Sequence, residues 1–498
     1  MTLSTCKAAI AACLVAVVSM CGCAVGPRYS KPPVTTPPEY KESPPGWKAA
    51  QPNDQIAKGK WWEIFQDPQL NTLEEQVTVS NQNLKAALAR FEQARALVKF
   101  NRADFYPTVT AGASGTWNHQ SSNRPLVGNA TSSNYTDLVL PVTASYEPDV
   151  FGRIRRTVEG AKANAQATAA DMEALNLSLH AELASDYFQL RTFDAEEQLL
   201  NDTVTAFQKA LDLTQNRYKG GVASAVDVAQ AQTQLETTRA QAIDVQVARS
   251  QLEHAIAVLT GQAPSTFNIA FAPWNNQPPV IPTGVPADLL ERRPDIAAAE
   301  RRVAAANAQI GVARAAYFPI LTLSGTGGFE SSSITTWLQG PSGFAAIGAQ
   351  AVVTAFDVGR RRAISDQARA AYDESTANYR ETVLGSLQEV EDNLSALRIL
   401  ENESKTQQDA VAAAEHSLQL SNNRYKGGVV TYLEVITAQS TALSNERLSV
   451  NLLRERMVAS VQLIRALGGG WDVSNLPSVS MKASPAPATN PPASGGTN

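Results

Sequence analysis

Hydrophobic and polar residues alternate one for one over residues 108–117, with Val109, Ala111, Ala113, Gly115 and Trp117 on one side and Thr108, Thr110, Gly112, Ser114 and Thr116 on the other. Residues 320–329 repeat the arrangement, setting Leu321, Leu323, Gly325, Gly327 and Phe329 against Thr322, Ser324, Thr326 and Gly328. A period of two marks an extended strand with unlike faces. Segments of this length, small and polar on one side and ending in an aromatic, suit a strand that crosses an outer membrane; a soluble edge strand reads the same way. A second strand is predicted after each. Over 136–147 it is carried by Leu138, Leu140, Val142, Ala144 and Tyr146, and over 344–356 by Ile347, Ala349, Ala351, Val353 and Ala355. The stretches between the paired strands, 118–134 and 330–343, are rich in Ser, Asn, Gly and Thr and read as long external loops.

Elsewhere the period changes. No proline interrupts Gly152 to Asn216 or Gly359 to Asn423, and Val383, Leu387, Val390, Leu394 and Leu397 step by four and three, the spacing of coiled-coil packing. A rod of roughly 65 residues at 1.5 Å per residue is about 100 Å long. Each rod ends in the same words. Asn216-Arg217-Tyr218-Lys219-Gly220-Gly221-Val222 recurs as Asn423-Arg424-Tyr425-Lys426-Gly427-Gly428-Val429, followed by an acid at Asp227 or Glu434. Glycine stops a helix at such a point, and Ser224 or Thr431 is placed to cap the returning helix. Phe151-Gly152-Arg153 likewise answers Val358-Gly359-Arg360, and Phe105-Tyr106-Pro107 answers Tyr317-Phe318-Pro319. The body is a tandem duplication, and each half reads helix, strand, loop, strand, very long helix, tight turn, long helix.

The fold class that follows is mainly α with a membrane β-barrel. Four strands do not close a barrel, since small barrels need about eight. Three chains would supply twelve strands, which predicts a homotrimer, because a lone chain would leave two open sheet edges in lipid.

Composition narrows the setting. The first 22 residues hold one basic residue, Lys7, no acid, and an apolar run from Ala8 to Met20, the layout of a secretory signal. All four cysteines, Cys6, Cys13, Cys21 and Cys23, lie at this end, so a mature chain beginning at Cys23 has no disulfide. Gly22-Cys23 after an apolar run resembles a bacterial lipobox, in which the cysteine is acylated; Ala24 after it implies an outer-membrane address. The formal charge is −5, and loss of Lys7 leaves the mature chain one unit more acidic, opposite in sign to a nucleic-acid footprint. The four histidines, His119, His180, His254 and His416, show no metal-ligand spacing and read as exposed helix or loop residues. Nothing forms a nucleophile–base set, so neither catalysis nor a cofactor is expected. Beyond Met20 no run of 18 apolar residues occurs, which leaves closed β structure as the way to cross a membrane.

One string is more specific than these patterns: Leu289-Leu290-Glu291-Arg292-Arg293-Pro294-Asp295-Ile296, continued by Ala299-Glu300, Ala305-Ala306, Ile310-Gly311 and Phe318-Pro319. With Cys23-Ala24-Val25-Gly26-Pro27, Trp61-Trp62 and Asp67-Pro68, it resembles the outer-membrane factors of Gram-negative tripartite efflux pumps, in their lipoprotein branch (TolC-like, OprM- and NodT-like). The resemblance implies a trimeric 12-stranded barrel continued by a helical tunnel through the periplasm. It also implies a periplasmic adaptor and an inner-membrane transporter, of the resistance-nodulation-division type, as partners. By it the two tips dock the adaptor through Tyr218, Gly220, Gly221, Ser224, Tyr425, Gly427, Gly428 and Thr431, and the tunnel is shut there at rest, with Asp227, Glu434 and Tyr425 at the gate. The acids also read as solvated helix surface. Val430 stands where some relatives carry an arginine that locks the gate, which points to closure by Tyr425 and apolar packing instead.

The expected layout is a signal peptide at 1–22, a lipidated N-terminal segment at 23–68, repeat 1 at 69–261 with its tip at 216–224, a linker at 262–288, repeat 2 at 289–467 with its tip at 423–431, and a C-terminal segment at 468–498. The N-terminal, linker and C-terminal segments should form a belt around the tunnel, and residues 477–498, poor in charge and apolar bulk, should be disordered. A periplasmic helical lipoprotein serving as adaptor or scaffold is the competing reading, but an adaptor's lipoyl-like β block is missing. The sequence names neither cargo nor partner pump.

Overall fold

The computed structural model describes residues 24–42, 59–119, 121, 134–274, 276–281 and 286–476. The signal peptide, Cys23 and the tail beyond residue 476 lie outside the described residues.

Five strand segments, β1 (Thr108–Ala111), β2 (Ser114–His119), β3 (Asn134–Tyr146), β4 (Ile320–Ser331) and β5 (Gly343–Val352), make one antiparallel sheet. β1 and β2 both pair with β3, which pairs with β4, which pairs with β5. The sequence predicts one strand over 108–117; the structure breaks it at Gly112 and Ala113. Register is unbroken across the gap, since Ala111 faces Val142 and Ser114 faces Val139. The cause is Pro141. Gly112 donates to its carbonyl at 3.1 Å, but proline has no N–H to return the bond. β5, predicted over 344–356, is also shorter than expected and ends at Val352.

Register aligns the apolar positions of every strand. Leu140 faces Phe329, Val142 faces Gly327, Tyr146 faces Leu323, and Leu323 in turn faces Ala349. Over residues 138–146, 321–329 and 343–351 one sheet face is therefore built of apolar residues and glycine, with Ile347 95% exposed at its edge strand. The other carries Thr143 and Thr326, whose hydroxyls meet at 3.3 Å. Lipid on one side and water on the other is what such a sheet requires.

The helices are α1 (Pro68–Ser80), α2 (Gln82–Ala103), α3 (Arg153–Lys219), α4 (Ala225–Leu259), α5 (Pro294–Ala315), α6 (Arg360–Lys426) and α7 (Tyr432–Ala466), with a single helical turn at Leu289–Arg292. α3 and α6 each run 67 residues, about 100 Å. Each folds back on its successor, so α3–α4 and α6–α7 form two hairpins. No described helix is long and apolar enough to cross a membrane.

Chain segments from both ends gather around the middle of the hairpins. Trp61, Trp62 and Phe65 sit buried against α3 and α7 in the main core, together with Ile269, Ile281 and Leu289. Residues 266–274 are strapped on by charge: Asp194, fully buried, accepts from Arg191 at 3.0 Å, Arg249 at 2.6 Å and the Ala272 N–H at 3.0 Å. The two arginines then donate to the carbonyls of Ala270 and Ile269. The N-terminal strap lies on the start of α3: the Val25 N–H bonds to the Phe151 carbonyl at 3.0 Å. Gly26 passes so close to Gly311 that a Cβ on it would lie 2.6 Å from the Gly311 Cα.

Candidate functional site

The predicted site lies at the free ends of the hairpins. Each rod stops in a glycine in the left-handed region, Gly221 at φ 71° and Gly428 at φ 74°. The N–H of the next residue bonds back into the last turn, Val222 to Arg217 at 2.8 Å and Val429 to Arg424 at 3.0 Å, as in a Schellman cap. The first glycine of each pair is not demanded by this turn. Gly220 has φ −80° and Gly427 φ −72°, and a Cβ on either would meet nothing nearer than 3.5 Å.

Ser224 caps α4 as expected. Its hydroxyl accepts from the Asp227 N–H at 3.1 Å, and the Asp227 carboxylate accepts from the Ser224 N–H at 2.8 Å, a reciprocal capping box. Thr431 does not match it: it stands at the N-cap of α7, yet its side chain makes no capping bond. Glu434 is turned to another use, accepting from the Arg424 guanidinium at 2.7 Å. Both expected gate acids are thus held by their own hairpin, and the charge of Glu434 is matched locally.

The two repeated tyrosines occupy different surroundings. Tyr218 is 50% exposed and Tyr425 only 5%. Tyr425 lies among Phe207, Leu211, Ala231, Leu235, Tyr432 and Val435, with Val430 and Val228 alongside. Its ring centre is 5.3 Å from that of Tyr432, and its hydroxyl is 3.4 Å from the Thr214 hydroxyl. Burial raises the Tyr432 phenol to about 12, so it stays a neutral member of this cluster. Arg217 places its guanidinium 4.7 Å over the Tyr425 ring and donates to the Lys426 carbonyl at 3.2 Å. The second hairpin is therefore fastened to the first by aromatic packing and a cation–π contact. Arg217, Phe207 and Tyr432 make contacts between the hairpins that sequence reading missed. Arg217 stood inside the repeated string, but nothing in it distinguishes Arg217 from Arg424.

One histidine departs from expectation. His180 is buried, stacked on Trp62 at 4.5 Å, with Nδ1 2.5 Å from a carboxylate oxygen of buried Glu74 and Nε2 3.3 Å from the Thr78 hydroxyl. Burial lowers His180 to about 4 and raises Glu74 well above its usual range. Burial thus works against charge on both partners. No cluster of metal-ligating residues occurs among the described residues.

A sheet with one apolar and one polar face, mounted on two helical hairpins about 100 Å long that pack together at their far ends through aromatic rings, defines a class: a membrane sheet continued by a helical conduit. Comparison with known proteins then identifies the family. The chain belongs to the outer membrane efflux protein family, whose model matches residues 73–262 and 285–469, one segment for each repeat. The probable efflux pump outer membrane protein TtgC of Pseudomonas putida is 30% identical over 451 residues, spanning 90% of this chain and 93% of that protein. The cation efflux system protein CusC of Escherichia coli is 29% identical over 458 residues, 91% of this chain and 97% of that one. Among solved structures, the outer-membrane channel OprN matches with a TM-score of 0.82 at 32% identity, covering 90% of this chain and 100% of its own. This protein is an outer-membrane efflux channel.

Proposed function

We propose that the chain works as a homotrimer, the outermost part of a three-component efflux assembly, passing small toxic molecules or ions handed on by an inner-membrane transporter of the resistance-nodulation-division type and a periplasmic adaptor. The observation that carries the trimer is the sheet itself. β1 and β2 form one edge and β5 the other, and open edges are not tolerated in hydrocarbon. Pairing β5 of one chain with β1 and β2 of the next removes every edge and turns the Thr143 and Thr326 face inward. Acylated Cys23 anchors the N-terminal strap, which begins at Ala24 beside Gly152.

In this reading the tips meet the adaptor. Support comes from Gly220 and Gly427, which the turn does not require, and from Tyr218, which the chain leaves exposed. Tyr218, Gly220, Gly221 and Ser224 form one docking surface and Gly427, Gly428 and Thr431 the other. Tyr425 has a different part, holding the two hairpins closed, and Val430 packs beside it where an ionic lock would otherwise be needed. Asp227 and Glu434 line the approach to the gate. Native mass spectrometry in mild detergent, with single-channel recording on the same sample, tests the assembly. A trimer that conducts supports it, whereas a monomer with full conductance overturns it.

A further inference from the structure

The duplication lets each residue of the second half be set against its mate in the first, and at the lower rim of the sheet the halves differ in charge. In the first half Arg153 grips Glu147 through two bonds of 2.9 and 2.8 Å, and Arg155 reaches Asp149 at 3.2 Å. Their mates Arg360 and Arg362 are retained, but Glu147 and Asp149 are replaced by Thr354 and Phe356. Both arginines are exposed, and neither guanidinium has an ion pair or hydrogen bond among the described residues. The one acid of the loop, Asp357, is taken by the Arg361 guanidinium at 2.6 Å and by the N–H groups of Gly359 and Arg361 at 3.2 Å.

Height in the membrane says what these groups meet. β5 leaves the sheet at Val352 and α6 begins at Arg360, so Arg360 and Arg362 lie just below the apolar face. The headgroup layer begins there, extending the roughly 30 Å hydrocarbon core by about 5–7 Å on each side. The strap gives an independent marker at the same level, since Ala24, next to Cys23, touches Gly152, the mate of Gly359. Phe356, between strand and arginines, is 83% exposed in the single chain and stands at the height of the bilayer interface. A guanidinium fork fits a phosphate with two parallel bonds, and basic groups at this depth attract anionic lipid.

We propose that Phe356, Arg360 and Arg362 form a binding site for the phosphate headgroup of an anionic phospholipid in the inner leaflet. The site rests on the membrane placement of the sheet and, for its number of copies, on the trimer reading. The rival partner is an acid of the neighbouring chain, and the candidate is Asp104, at the end of α2 beside the opposite sheet edge. One acid does not neutralise two arginines, and Asp104 already acts on Arg153 of its own chain.

Native mass spectrometry of the delipidated full-length protein, titrated with phosphatidylglycerol or phosphatidylethanolamine in detergent, reads lipid binding and assembly in one spectrum. The wild type should take up phosphatidylglycerol to about one molecule per chain with phosphatidylethanolamine weaker, and Arg360→Gln with Arg362→Gln should weaken phosphatidylglycerol about ten-fold or more. Arg360→Lys with Arg362→Lys, which keeps charge and loses the fork, should fall between. Equal binding by wild type and the glutamine variant overturns the site. So does equal competition by inorganic phosphate, which would make it a site for free anions. If Asp104→Asn loosens the trimer as the glutamine variant does while lipid uptake stays unchanged in both, the arginines belong to the chain interface. A spectrum of monomers alone would sink the trimer reading, while lipid uptake per chain would still decide this site.

Discussion

Glu74 and His180 show how burial at one pair sets a response of the whole protein. Glu74 is raised above its ordinary 4.5 and contributes stability that is complete below that pH and lost as pH rises towards its folded value. His180, lowered from 6.5 to about 4, contributes stability that is complete above 6.5 and lost as pH falls to about 4. Above 4.5 the two effects oppose each other, Glu74 favouring lower pH and His180 higher. Glu74→Gln should therefore remove the loss that comes with rising pH and leave the acid loss below 6.5 unopposed, with a limiting slope of about 1 kcal/mol per pH unit. Melting curves of the detergent-solubilised protein from pH 4 to 9 check this, and identical pH profiles for both proteins would contradict it. At the gate, Asp227→Asn with Glu434→Gln removes two acids and also frees Arg424 from its partner. Cation preference in planar bilayers should fall more than the loss of carboxylates alone suggests. The change should shrink at 1 M salt, where the Debye length is about 3 Å. Unchanged reversal potentials at low salt would return both acids to the role of solvated helix surface.

Between elements, the two tips are unequal although their words are the same. Tyr425→Ala removes a buried ring from the contact between hairpins and should cost about 3–5 kcal/mol, seen as easier melting together with a higher open probability. Tyr218→Ala removes a half-exposed ring and should leave melting unchanged while weakening adaptor capture. The glycine pairs separate turn from docking. Gly221→Ala and Gly428→Ala force a side chain into the left-handed region, at about 1–2 kcal/mol each. Gly220→Ala and Gly427→Ala should melt like the wild type, so a loss of adaptor co-purification in those two variants would isolate the docking role. Full adaptor binding by a variant bulky at both positions would remove it.

At the scale of the whole molecule, the proposed trimer closes its sheet by strand pairing between chains, without help from the lipid. Cys23→Ser carrying a cleavable signal should still give a heat-sensitive trimer in the outer membrane, with lower yield. Complete absence of trimer from that change alone would show that the anchor takes part in building the pore.

The sequence by itself determined the repeat, the strand alternation, the two rods and the turns between them, because these depend on periods of two and 3.6 and on glycine where the chain must turn back. Its heptads placed Val383, Val390 and Leu394 in the core, where they are buried. What only the tertiary structure decided depends on which face meets which neighbour. Pro141 interrupts the strand opposite it because register sets it against Gly112. His180, read as exposed, is buried because segments distant in sequence close over it. The repeated strings around Tyr218 and Tyr425 do not say which ring is covered: Phe207 and Leu211 of one hairpin reach the other within the chain, and local sequence carries no record of that packing.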